Sequence, residues 1–360
     1  MLKKITAMIV AMGLVMSVSA CGNTQVQTPT TPASDAAPAV ATPTDTKSIL
    51  EKYAGAGTIG NWGLGNEYEL YALLAKYNLP LDFLSQDFTM DGFDDNSIGL
   101  ASAMTYNELG LVKNSYDGGY NYGDTVAYID MNDEGVAMLE DNLFTTKTFA
   151  EANPETVKAF VYASMKGWKY ASENPAEAAE IVYNNGSSVS KEHQLYMAEE
   201  VAKLVDLSVP VGTMNDTAMQ QTLDIAKQYV KLDDSAAATK LAALTLDDIR
   251  SQAYWTDIAN AATFTPEKTD VSVQLKWLPQ AQFMGYFVAK DKGFYDEVGL
   301  NVTIVSGGGD ISETTAVSNG TVDFGVTWVS NLITSNAAGM ELLEVAQVYQ
   351  KSGLVLVYKK

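Results

Sequence analysis

From residue 58 to residue 358 the chain alternates short apolar or β-branched runs with helical stretches, and no other feature constrains its fold as much. The strand-like runs lie at 58–62, 100–104, 126–131, 271–277, 300–305, 322–326, 343–349 and 354–358. Helical spacing of apolar residues predicts helices over 67–77, 154–172, 176–183, 191–205, 216–231, 246–255, 283–290, 311–319 and 332–338. Pro154 suits a first helical position, with Asn153 as its cap and Val157, Phe160, Val161 and Met165 on one face. Strands alternating with helices imply an α/β fold with mostly parallel sheets. A chain of 360 residues is long enough for two lobes.

The N-terminal residues read differently. Lys3 and Lys4 precede an apolar run at 5–18 that is shorter than the roughly 20 residues a membrane-spanning helix needs. Val18-Ser19-Ala20-Cys21 then resembles the bacterial lipobox, and Cys21 is the only cysteine in the chain. The resemblance implies a signal peptide at 1–20 and a diacylated Cys21 as mature N-terminus. Two acyl chains suffice for stable anchoring, so the expected location is extracytoplasmic, on the bacterial cell membrane. Residues 21–47 are rich in Thr, Pro, Ala, Gln and Ser and include Pro29, Pro32, Pro38 and Pro43, which predicts an unpacked tether.

Composition excludes several functions. The formal charge of −21 disfavours a nucleic-acid partner. One Cys and one His rule out CxxC zinc sites and weigh against a Ser-His-Asp triad. No DxDxDG calcium loop is present. The expectation is therefore no metal, no cofactor and no catalytic residue. His193 is expected on a surface helix, well away from the loops that could bind a ligand.

The segment Val273-Gln274-Leu275-Lys276-Trp277-Leu278-Pro279-Gln280-Ala281-Gln282-Phe283 resembles the opening strand and first helix of periplasmic-type solute-binding proteins. Lys292-Gly293-Phe294-Tyr295, Gly299-Leu300-Asn301-Val302 and Asn319-Gly320-Thr321-Val322-Asp323-Phe324-Gly325 extend the resemblance. Residues 60–70 and Ala103-Met104-Thr105-Tyr106-Asn107-Glu108-Leu109 resemble the second lobe of that family. The nearest branch binds thiamine pyrimidine precursors and riboflavin and includes the thiamine-pyrimidine synthases; sulfonate and nitrate binders are more distant. The resemblance implies a two-lobed type II periplasmic-binding-protein fold with its ligand cleft between the lobes.

Relative to that family the order of the parts is exchanged, which implies a circular permutation. A small lobe is then expected at 48–142 and a large lobe at 143–360, with 256–270 as the permutation linker. The family's two crossing strands map to 143–148 and 353–359. They are expected to pair, with only the first still joining the lobes.

Ligands of open α/β sheets sit at the carboxyl ends of strands, so the candidate ligand residues follow the strands. They are Trp277, Gln280, Gln282 and Phe283, then Asp310, then Trp328. From the other lobe come Trp62, Asn66, Glu67 and Tyr68, then Tyr106, Asn107 and Glu108. Aromatic rings sandwich a flat ligand, while carboxylates and amides pair with its polar edge. The run Gly307, Gly308, Gly309 reads as a turn or a close backbone approach. Lys276 is the only cation in these loops, and strand alternation turns it away from Trp277, which argues against an anionic ligand.

The combined expectation is a monomeric, lipid-anchored receptor that hands a flat heterocyclic nutrient, a thiamine pyrimidine precursor or riboflavin, to an ABC permease. The alternatives are a pyrimidine-synthase-like enzyme, a receptor for a sulfonate- or nitrate-type anion, and a non-transport receptor or adhesin.

Overall fold

Among the described residues ten strands assemble into two five-stranded sheets: β1 (Ile59–Asn61), β2 (Leu84–Ser85), β3 (Leu100–Met104), β4 (Val126–Asp130), β5 (Asn142–Thr146), β6 (Asp270–Gln274), β7 (Asn301–Val305), β8 (Phe324–Thr327), β9 (Leu342–Gln347) and β10 (Leu354–Lys359). The computed structural model describes residues 43–187 and 189–360. The expected signal peptide, Cys21 and the tether up to residue 42 lie outside the described residues.

The sheet orders are β2-β1-β3-β10-β4 and β7-β6-β8-β5-β9. Each sheet takes four strands from one stretch of chain and one strand from the other stretch, inserted at the same place. β1 runs parallel to β2 and β3, and β6 runs parallel to β7 and β8. The inserted strands run antiparallel to both neighbours: β10 beside β3 and β4, β5 beside β8 and β9. The sheets are thus mixed and not mostly parallel. Periodicity shows where a strand is, but a strand delivered by a short crossing needs no helical crossover and can enter the sheet in the opposite sense.

Two crossings, 131–141 and 348–353, join the sheets and run side by side. The Val348 and Tyr349 amides each lie 3.2 Å from the Asp141 carbonyl oxygen. The Asn132 amide donates to the Ser352 carbonyl at 2.8 Å and accepts from the Ser352 backbone N–H at 3.1 Å. One Glu140 oxygen accepts from the Ser352 hydroxyl at 2.9 Å and from the Gly353 amide at 2.8 Å. This corrects the expected hinge mapping. Residues 143–148 and 353–359 are mostly strand inside the two sheets, the crossings immediately precede them, and both crossings join the sheets. It also corrects the expected continuity of 143–360, because β10 belongs with β1–β4.

Packing around the second sheet depends on small residues. The helices Pro154–Glu173 and Met284–Asp291 meet at Gly167 and Gly285. A Cβ on Gly285 would stand 2.2 Å from the Trp168 ring, and one on Gly167 would stand 2.1 Å from the Gly285 carbonyl oxygen. Trp168 is fully buried there, edge-on to Tyr286 at 5.6 Å and to Tyr349 at 6.1 Å. Phe160 stacks on Phe324 at 4.1 Å and ties the long helix to the centre of the sheet.

Three local expectations change. Residues 43–47 open the helix Pro43–Ala56 and are not tether: Leu50 is buried, and the buried Thr46 hydroxyl donates to Glu134 at 2.7 Å. Asn153 precedes Pro154, but its side chain does not cap the helix; its amide turns back to the Phe149 carbonyl at 3.1 Å. The helix expected over 246–255 shortens to Leu246–Ile249 because Arg250 turns extended and bridges to Glu344 on β9.

Candidate ligand cavity

A cavity of about 420 Å³ opens among the loops that follow the strands of both sheets. That volume lies within the range of roughly 300–1,000 Å³ that holds small organic ligands. Ten of the expected residues line it: Trp62, Glu67, Tyr68, Tyr106, Asn107, Glu108, Trp277, Gln280, Gln282 and Trp328. Three do not. Phe283 is fully buried in the core, since the turn Ala281–Phe283 directs it beneath the following helix. Asp310 is exposed and does not line the cavity, although its neighbours Gly309 and Ile311 do. Asn66 is buried just before the helix Glu67–Lys76, and among the described residues neither side-chain amide atom has a hydrogen-bond partner.

The walls are aromatic. Trp62 is held by its indole N–H, which donates to the Asp87 carbonyl at 2.9 Å. Trp277 meets Phe88 across the opening, with ring centroids 4.9 Å apart. Tyr106 lies edge-on to the buried Tyr349 at 5.9 Å. Gly307 lets the loop press against the strand end: a Cβ there would be 2.2 Å from the Leu275 carbonyl oxygen. This is the close backbone approach that the glycine run implied.

The polar groups form three sets. Glu67 accepts from the Gly65 amide at 2.7 Å, and burial, aided by Glu67, pushes the Tyr68 hydroxyl well above its ordinary pKa. Glu108 accepts from Asn107 at 2.7 Å and from the Met104 amide at 2.9 Å. Burial raises its carboxyl pKa, and those hydrogen bonds oppose the rise. At the floor, Gln280 donates to Gln282 at 2.7 Å, and Gln282 donates to Asp141 at 3.2 Å. Burial pushes the Asp141 carboxyl up to about 7, so the first crossing reaches the cavity floor through a partly protonated acid.

Lys276 corrects the sequence reading. It lines the cavity together with Trp277, because β6 ends at Gln274 and the irregular chain beyond it no longer alternates. Its ammonium stands 4.6 Å over the Trp328 ring, 3.3 Å from Glu313 and 3.4 Å from the Asn331 side-chain oxygen. Lys276 is the one cation among the lining residues, against the carboxyl groups of Glu67, Glu108 and Glu313. The balance at the cavity therefore stays acidic, although the orientation argument that led there fails.

His193 corrects it again. The residue is fully buried, and its Nε2 lies 2.8 Å from the Asn107 side-chain oxygen, directly behind the cavity wall. Phe88 and Glu313 were not singled out from the sequence. Phe88 sits in an irregular stretch without periodicity, and Glu313 in a helix that starts two residues later than its pattern implied. Among the described residues no group of three or more His, Cys, Asp or Glu side chains is placed to hold a metal ion, and no helix is long and apolar enough to cross a membrane.

No curated protein matches the chain. A family model described as NMT1/THI5 like matches residues 58–178 and 280–360, which together make more than half of it. That family includes ABC-transporter solute-binding proteins, which are extracytoplasmic, and also pyrimidine synthases. With the matched residues spanning both sheets and most of the cavity, the chain belongs to the NMT1/THI5-like family.

Proposed function

We propose that this protein is a lipid-anchored solute receptor that closes two lobes, one on each sheet, around a flat heterocyclic nutrient and delivers it to an ABC permease. The observation that carries the reading is the cavity between the sheets, with Trp62, Trp277 and Trp328 as walls and carboxyl groups at its polar edge. Aromatic faces suit a flat ring system, and carboxylates suit its amino and ring N–H groups. The paired crossings support this reading as the two segments about which such lobes would hinge. Cys21 is the anchor and residues 22–42 the tether. The ligand classes are a thiamine pyrimidine precursor and riboflavin.

The circular permutation belongs to the same proposal. The matching order of the two sheets supports it, because with such symmetry a chain can start in either half and build the same topology. The ends of the described body also lie near each other. Burial raises the Tyr358 hydroxyl pKa, and Asp45 and Tyr53 add to the rise.

A thermal-shift screen tests the function. The chain from residue 22 onward is melted alone and with riboflavin, thiamine, an aminopyrimidine precursor, taurine or nitrate. A ligand at 100 times its dissociation constant stabilises the fold by about 2.7 kcal/mol, which is several degrees for a protein of this size. A shift with one heterocycle and none with the anions supports the receptor. A shift with taurine or nitrate alone overturns the heterocycle reading, and turnover of an added aminopyrimidine compound overturns the receptor.

A further inference from the structure

The helix Lys191–Val205 brings the chain's single histidine up behind the cavity wall. Ser190 caps this helix, and its hydroxyl oxygen accepts from the His193 backbone N–H at 3.1 Å. The imidazole packs near Tyr116, with centroids 5.4 Å apart, and almost parallel to Tyr196 at 6.0 Å. Its Nε2 lies 2.8 Å from the Asn107 side-chain oxygen.

The donors and acceptors in this chain can be worked out in order. A carboxylate only accepts, so the Asn107 atom 2.7 Å from Glu108 is its NH2 group. The Asn107 oxygen therefore faces the histidine, and an amide oxygen only accepts. Nε2 must carry the hydrogen. In a neutral ring Nδ1 is then bare, and among the described residues Nδ1 has no hydrogen-bond partner. A second proton on Nδ1 would be buried without an acceptor.

We propose that His193 is a positioning residue of the ligand cavity: as the neutral Nε2–H tautomer it locks the Asn107 amide, which in turn fixes the Glu108 carboxylate as an acceptor for a ligand amino or ring N–H group. The ligand-placing part rests on the receptor reading above; the tautomer and the orientation do not. Among the described residues His193 and Glu108 are the partners of the amide, and Asn107 precedes the helix Glu108–Lys113 without capping it. A flipped amide would set its carbonyl against the carboxylate. The groups facing the ring are Tyr116 and Asp117 from the neighbouring turn, Tyr196 from its own helix, and Glu108 through Asn107. Burial outweighs the opposing charge of Asp117 and pushes the imidazole down to about 4, so the lock holds across the neutral range.

The test uses the full chain, in which one histidine gives one imidazole signal. Long-range 1H–15N NMR on histidine-labelled protein should show the Nε2–H tautomer from pH 5 to pH 8, with no titration step near 6.5. Dissociation constants for riboflavin and the aminopyrimidine precursor are then measured on variants. His193→Gln keeps an N–H donor and should stay within about 3-fold of the native chain, whereas His193→Leu and Asn107→Leu should each weaken binding tenfold or more, without adding when combined. An Nδ1–H tautomer, a midpoint near 6.5, or equal losses in the Gln and Leu variants overturns the proposal, and the first two need no variant to fold. A native chain that binds neither compound while showing the Nε2–H tautomer overturns the heterocycle reading and the ligand-placing role, and leaves the lock itself supported.

Discussion

The Phe88 ring meets the Trp277 ring with centroids 4.9 Å apart and planes inclined at 58°, and the two residues come from loops on different sheets. Phe88 is 55% exposed beyond that contact, so little else holds it. Gly65 makes a second such contact, since a Cβ there would stand 2.5 Å from the Asn331 side-chain oxygen. In the proposed receptor both contacts exist only when the lobes are closed. Aromatic pairs of this kind contribute about 0.5–1.5 kcal/mol beyond their buried area. Phe88→Ala should therefore weaken binding of the heterocycle roughly 2- to 10-fold. The melting temperature of the ligand-free protein should move little, because an exposed side chain supports little of the core. Titration calorimetry and melting together check this, and a large loss of ligand-free stability would assign Phe88 to the fold instead.

Between pH 5 and pH 8.5 stability should fall as pH rises. Burial pushes the Glu69 carboxyl from its ordinary 4.5 up to about 8, and burial does the same to Glu344 against the pull of Arg250. Burial also raises Glu140, and the nearby Glu69 charge adds to the rise. Asp141 rises to about 7 from its ordinary 3.8, again through burial. An acid whose folded pKa exceeds its unfolded value binds its proton more tightly in the folded state. The stabilisation is then complete below the unfolded pKa and is lost as pH climbs through the folded pKa. The carboxyls with lowered values, such as Glu134 with its Lys76, Thr46 and Tyr77 partners, lose their contribution only below about pH 4.5, outside this window, and His193, held down to about 4, opposes the fall only below its unfolded 6.5, as one group against four. Melting curves should shift down by several degrees from pH 5.5 to pH 8.5. Glu344→Gln should flatten the slope, since among the described residues neither Glu344 carboxyl oxygen has a hydrogen-bond partner and the amide mimics the protonated acid. A melting temperature that rises with pH would contradict this.

Gly285→Ala should destabilise the protein by roughly 1–3 kcal/mol, the usual cost of forcing extra volume into a packed core. The added methyl would stand 2.2 Å from the rigid, fully buried Trp168 ring, which has no exposed space to swing into. Gly186→Ala is a poor control because Gly186 has φ +96°, whereas Gly55 has open space and an ordinary helical backbone. Gly55→Ala should be neutral or slightly stabilising. Urea midpoints for the two variants give the comparison, and equal midpoints would mean that the two helices can separate at no cost.

How much of this was legible in the sequence depends on the scale of the signal. The helix Lys191–Val205 was readable to the residue, because Ser190 caps it and its apolar spacing is regular. The helix Pro43–Ala56 was not, since its Thr- and Pro-rich opening resembles linker and only the contact from Thr46 to Glu134 reveals that it packs. Strand positions were readable from apolar runs, but the reversed sense of β5 and β10 was not, because it is set by how the two halves exchange strands. Ten cavity residues were found by looking just past strand ends, a rule that works where a strand stops cleanly. It misplaced Lys276, where the strand stopped three residues early, and it missed Phe88, which follows the two-residue β2. His193 shows the sharpest limit. A histidine on an amphipathic helix reads alike whether the helix faces water or another wall, and only the packing against Asn107 decides.

The proposed permutation makes its own prediction. Lys360 ends beside β4, where its amide donates to the Thr125 carbonyl at 3.0 Å, and Tyr358 lies near Asp45 in the opening turn of the first described helix. A short Gly/Ser linker should therefore join residue 360 to residue 45 without strain. New ends cut between Asn260 and Ala261 fall in an exposed, irregular stretch that tolerates a break. The rejoined chain then runs 261–360, linker, 45–260, which is the order expected of its family. Loop closure changes by little more than about 1 kcal/mol for such exchanges of linker. The rearranged protein should melt within a few degrees of the native one and bind the same heterocycle with the same affinity. A rejoined chain that fails to fold, while the native order folds under the same conditions, would show that the native order is required and would end the permutation account.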